Sequence, residues 1–107
     1  MNDVRITAVC QADYKDLQRL YENPIEHACS VRVGMSWVSK DGQRPDGMCV
    51  EAWKSMREFV EALAQGGGNF FASSPDSSDG WMRNPRSAMI SCNDGFRPVS
   101  FLLETIG

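Results

Sequence analysis

No block of like charge interrupts this chain. Its 11 lysines and arginines and 14 aspartates and glutamates are interleaved from end to end, for a net charge of -3. Nucleic acid is held by a basic stripe that neutralises phosphates, so this pattern argues against it as a partner. No apolar run approaches the roughly 20 residues that a membrane-spanning helix needs. The start, Met1-Asn2-Asp3-Val4-Arg5, lacks the charged-then-apolar order of a secretory signal. Together these absences predict a soluble, cytoplasmic protein with no membrane partner. There is no C-x-x-C pair and no internal repeat. The four cysteines, Cys10, Cys29, Cys49 and Cys92, are scattered. In a reducing compartment, scattered thiols read as free, metal-ligating or catalytic groups rather than a disulfide framework.

What is present suffices for one domain. With 107 residues, 42% of them hydrophobic, the chain is too short for two domains and too apolar to remain disordered. At this length roughly two-thirds of the unfolded surface can be buried, so the core is modest and a homo-oligomer is expected to complete it.

Alternation of Val4, Ile6, Ala8 and Cys10 against Arg5, Thr7 and Val9 predicts a half-buried strand with Cys10 on its apolar face. Tyr14, Leu17, Leu20 and Tyr21 predict a short helix over about 13–22, with Asp13 as N-cap and Asn23-Pro24 as its end. Alternation resumes at Cys29, Val31 and Val33. Gly34 interrupts it, and Met35 to Ser39 is again extended, so we expect two strands or one strand bent at Gly34, closed by the Lys40-Asp41-Gly42-Gln43 turn. The main helix is expected over about 49–65, with Cys49, Trp53, Met56, Val60 and Leu63 on one stripe, Ala52 and Phe59 beside it, and Gly66 as its stop. Residues 66–86 read as a long loop or lid carrying Phe70, Phe71, Trp81 and Met82. Ala88 to Cys92 and Val99 to Leu103 form a hairpin around Asn93-Asp94-Gly95, with the second strand central and Pro98 at its start. The expected fold is α+β: an antiparallel sheet of about four or five strands packed on one main helix, with a second short helix.

Cys49 falls at the start of the main helix, where unpaired N–H groups and the helix dipole favour an anion and so a thiolate; Glu51 opposes this. The same position also fits a small hydrophobe opening the helix stripe. In Cys92-Asn93-Asp94-Gly95-Phe96-Arg97, a thiol, a carboxylate and a guanidinium share one turn and can act as nucleophile or proton carrier, acid or base, and anion anchor. An ordinary hairpin with Arg97 paired to Asp94 uses the same residues. His27 and Cys29 invite a zinc reading, although no closely spaced ligand pair accompanies them, and a lone loop histidine is commonly just solvated.

Pro45-x-Gly47-x-Cys49, Ala52-Trp53, Gly66-Gly67 and Cys92-x-Asp94-Gly95-x-Arg97-Pro98-Val99, with Gly34 upstream, resemble a family of small, functionally uncharacterised bacterial and archaeal proteins. The resemblance spans most of residues 4–106 and implies that Cys29, Cys49 and Cys92 match recurring family cysteines, whereas Cys10 does not. His27 precedes Cys29, where many relatives carry a histidine after the cysteine, and the Ser- and Asp-rich stretch near 72–80 is an insertion.

Three functions follow as expectations. The leading one is a cysteine-centred enzyme needing no cofactor and acting on a small anionic molecule by isomerase, lyase or acyl-type chemistry. Cys49, Cys92 and Asp94 would be catalytic, Arg97 would anchor the anion, and Trp53, Phe70 and Trp81 would wall the site. The second is a zinc or iron–sulfur protein using Cys29, Cys49 and Cys92, with His27, Asp94 or water as fourth ligand. The third is a non-catalytic ligand-binding or oligomerisation domain with Trp37, Trp53 and Trp81 at the contact.

Overall fold

A computed structural model describes residues 1–24 and 30–107. The chain runs β1 (Val4–Gln11), α1 (Lys15–Tyr21), β2 (Ser36–Ser39), α2 (Val50–Ala64), β3 (Ser87–Ser91) and β4 (Val99–Thr105). The strands form one antiparallel sheet in the order β2-β1-β4-β3. The fold is therefore α+β, with β4 a central strand, and no helix of the described residues is long and apolar enough to cross a membrane.

Alternation puts Val4, Ile6 and Ala8 of β1, Ala88 and Ile90 of β3, and Val99, Phe101 and Leu103 of β4 on one face, where all are buried. Ala52, Met56, Val60 and Leu63 of α2 recur at helical spacing and close over that face. This stripe differs from the expected one at its edges. Trp53 and Phe59 flank it half-buried, and Cys49 lies outside it, exposed at the N-cap. Past the helix, Gly66 at φ +90 donates to Leu63 O and Gly67 donates to Ala62 O, which is a Schellman stop.

Three further expectations are corrected. Cys10 is exposed, because between Ala8↔Phe101 and Cys10↔Ser100 strand β1 advances two residues while β4 advances one. The extra residue, Val9, is a bulge that carries Cys10 off the core face. Asp13 is not the N-cap of α1; Tyr14 holds that position with no side-chain cap, and Asp13 instead accepts from Gln18 Nε2. Of the two extended segments around Gly34, only Ser36–Ser39 is a strand among the described residues. Gly34, at φ +98, lies in a turn whose N–H donates to Ala8 O. His27 and Cys29 lie outside the described residues.

The 66–86 segment has no helix or strand, as expected, but it is extensively bonded. Asn69 Nδ2 donates to Pro75 O at 3.1 Å and Ser77 O at 3.0 Å, and Asp79 accepts from the Ser73 N–H at 3.0 Å. Phe70, Phe71 and Trp81 gather on Phe59 of α2, with ring centroids 5.0, 6.4 and 6.3 Å from it. Such an aromatic cluster pins the segment to the helix.

Candidate functional site

Two short turns bring two thiols to one place. Before α2, Met48 N–H donates to Pro45 O at 3.2 Å across a turn with Gly47 at φ +81, the left-handed third position that glycine fills without strain. Arg44 Nη1 donates to Met48 O at 2.7 Å, and the Met48 side chain is buried. With Met48 anchored inside, Cys49 emerges at the N-cap of α2, its own carbonyl accepting from Trp53 N–H and its sulfur making no cap bond. At that position the free N–H groups of the first helical turn favour negative charge.

Cys92 directly follows β3. Its N–H donates to Val99 O at 3.0 Å and its Sγ accepts from Val99 N–H at 3.3 Å, so both backbone and sulfur are held by the start of β4. Asp94 Oδ1 accepts from Phe96 N–H at 2.8 Å, which fixes the turn and leaves the carboxylate with further acceptor capacity.

Cys49 and Cys92, 43 residues apart in the chain, line a single cavity of about 290 Å³. Ala52, Val99 and Phe101 supply its apolar surface, and Glu51, Asn93 and Asp94 its polar groups. Phe101, buried and in tilted ring contact with Trp37 at 6.2 Å, gives that surface a rigid member. A thiol pair beside carboxylates, on an apolar surface, can supply a nucleophile and move a proton. Sequence reasoning did not name Asn93, Val99 or Phe101 as site residues. The available signal was the hairpin itself, since the strand that returns past Cys92 must carry Val99 beside it.

The remaining candidates lie elsewhere. Arg97 Nη1 meets Glu22 Oε2 at 2.9 Å and Nη2 donates to Gln18 Oε1 at 2.7 Å, so its guanidinium is engaged with the end of α1 and does not line the thiol cavity. The hydrogen bond to Glu22 holds the Arg97 pKa above its usual value. Trp53 packs against the core, and Phe70 and Trp81 pack around Phe59. None of the three lines the cavity, and a rise of about 15 Å along the helix separates positions 49 and 59. Among the described residues, no three His, Cys, Asp or Glu side chains come together as a metal site. The zinc or iron–sulfur set requires Cys29, outside the described residues.

No protein-family model, no curated protein and no solved structure matches this chain.

Proposed function

We propose that this chain is a small thiol-dependent enzyme in which Cys49 and Cys92 act on a small molecule held between α2 and the β3–β4 turn. The observation that carries the reading is the convergence of two distant thiols on one cavity. In this reading Cys49, at the helix start, is the base or nucleophile. It takes a proton from a carbon acid while Cys92 donates its S–H proton to the opposite side of the substrate, or it attacks an electrophilic carbon while Cys92 protonates the departing group, after which water activated by Asp94 displaces the Cys49 sulfur from that carbon. Asp94 then moves protons between the thiols and water. Isomerase, lyase and acyl-transfer chemistries all use this arrangement.

The substrate class shifts from the expected anion. The lining holds Glu51 and Asp94 and no lysine or arginine, and the expected anchor, Arg97, is committed to Glu22 and Gln18. An anion would meet uncompensated negative charge, so the substrate is a neutral or cationic molecule of modest size. The family resemblance and a cytoplasmic, homo-oligomeric setting belong to the same proposal. Helix α1 buries no residue and exposes Leu17, Leu20 and Tyr21, surface that a partner copy would cover.

The test uses Cys10 as an internal reference, since it is exposed and outside the cavity. Iodoacetamide labelling of the folded chain, mapped by mass spectrometry at several pH values, is expected to modify Cys49 faster than Cys10. Cys92→Ser is expected to change the rate at Cys49, and Cys10→Ser is not. Equal reactivity at all three sites, with no coupling between Cys49 and Cys92, would overturn the reading.

A further inference from the structure

We infer that the cavity between the Gly66-Gly67-Gly68 turn and the 75–86 segment is a second ligand site, which binds a phosphate-bearing small molecule through Arg83 and Arg86. This inference stands independently of the thiol cavity, from which it is separated by the length of α2. The cavity measures about 620 Å³, within the range of small-molecule sites.

Its charge runs against that of the chain. Where the whole protein carries 14 acids to 11 bases, this lining carries two guanidiniums, Arg83 and Arg86, and one carboxylate, Asp76. Among the described residues, neither arginine is in an ion pair. Arg86 Nε is buried and, among the described residues, has no hydrogen-bond acceptor. With the Asn2 amide in its hydrogen-bonding orientation, Asn2 Oδ1 accepts from Arg86 Nη2 at 3.3 Å, so the polar side chain that does meet this guanidinium is neutral. Burial of Nε leaves the Nη end of Arg86, together with Arg83, as the groups that meet an oxyanion in the cavity. The planar guanidinium fork fits two phosphate oxygens.

The rest of the cavity is built to hold such a group. A Cβ on Gly67 would stand 2.8 Å from Ala62 O, so glycine lets the turn close on the end of α2, and one on Gly68, at φ +152, would collide with the Pro85 carbonyl oxygen, so glycine there brings the turn against the arginine-bearing segment. The far wall is ordered by the Asn69 amide and the Asp79 carboxylate without help from a ligand. The negative end of α2 points this way, yet its last carbonyls are satisfied. Glu61 O, Ala62 O, Leu63 O and Ala64 O accept from Gln65, Gly67, Gly66 and Asn2 N–H respectively, which blunts their repulsion of an anion.

The experiment is an NMR titration of the full chain with inorganic pyrophosphate at low and moderate salt. Saturable shifts are expected at residues 66–69 and 82–86, weakening as salt rises. Arg83→Gln should weaken binding about tenfold, the usual loss for one charged hydrogen bond. Asp76→Asn should tighten it, and Cys49→Ser should leave it unchanged, which separates failure here from failure of the thiol reading. Arg86→Lys, which keeps the charge but removes the guanidinium fork, should also weaken binding; if it does not fold, Arg83→Gln and Asp76→Asn carry the test. Absence of saturable shifts, shifts spread over the other arginines, native-like binding by Arg83→Gln, or equal binding of succinate would overturn the assignment.

Discussion

Arg97 and Glu22 stand 75 positions apart in the chain and meet at 2.9 Å, with side chains only 23% and 15% exposed. This pair, with Gln18, ties the β3–β4 turn to the end of α1. Helix α1 buries no residue of its own, so its position depends on such polar ties, including Tyr14 N–H to Phe96 O. Arg97→Ala and Glu22→Gln should each raise amide exchange in α1 while leaving exchange in α2 unchanged. The double variant should be less harmful than the sum of the singles, because both remove the same contact. Unchanged exchange in α1 would show that other contacts hold it.

The 66–86 segment should respond to acid later than an ordinary carboxylate would dictate. The Asp79 carboxyl is lowered to about 2, chiefly by the Ser77 hydroxyl and then by the Ser73 N–H. A lowered folded pKa adds stability above the unfolded value, near 4 for aspartate, and that contribution is lost as pH falls toward 2. The Trp81 indole N–H resonance, which reports the aromatic cluster, should therefore hold from neutral pH to about 4 and shift as pH falls from there toward 2. In Asp79→Asn the acid step should disappear.

Glycine substitutions should separate two kinds of backbone constraint. Gly66→Ala places a side chain at φ +90 with nothing within 4 Å of its Cβ, so its cost is conformational alone. That strain is about 1 kcal/mol. Gly68→Ala combines φ +152 with a collision against the Pro85 carbonyl. Its cost is expected to be larger, about 2–3 kcal/mol. Urea midpoints of the two variants test the order.

The thiols should differ in their contribution to stability. Cys10 is exposed and Cys49 is exposed without a cap bond, so Cys10→Ala and Cys49→Ala should change stability by no more than about 0.5 kcal/mol. Cys92→Ala removes the acceptor for the N–H of buried Val99 and should cost about 1 kcal/mol. A strong loss of stability in Cys49→Ala would point to a packing role for that residue.

Phe101 joins core to cavity. Its side chain is 1% exposed and lines the thiol site, so Phe101→Ala should destabilise by about 3–5 kcal/mol. The milder Phe101→Leu should keep the fold while changing the labelling rates of Cys49 and Cys92 relative to Cys10.

Much of this architecture is written in local spacing. The α2 core positions Met56, Val60 and Leu63, the stop at Gly66, the turn at Asp41-Gly42 and the hairpin ending at Pro98-Val99 all follow from interactions within a few residues, whereas Ala52 takes the place that the spacing assigns to Cys49 and Trp53. The helix-start position of Cys49 and the strand-end position of Cys92 follow the same way. The tertiary structure alone decided which of these positions meet. One bulge residue, Val9, turned Cys10 away from the core that its alternation predicts, since in a strand a single extra residue exchanges the two faces. The packing of α2 over the sheet brought Cys49 to Cys92, the placement of α1 drew Arg97 to Glu22, and Phe59 drew the loop aromatics away from the thiols. Periodicity specifies which face of an element is buried. It carries no information about which distant element arrives there, because that depends on strand register and packing over the whole chain.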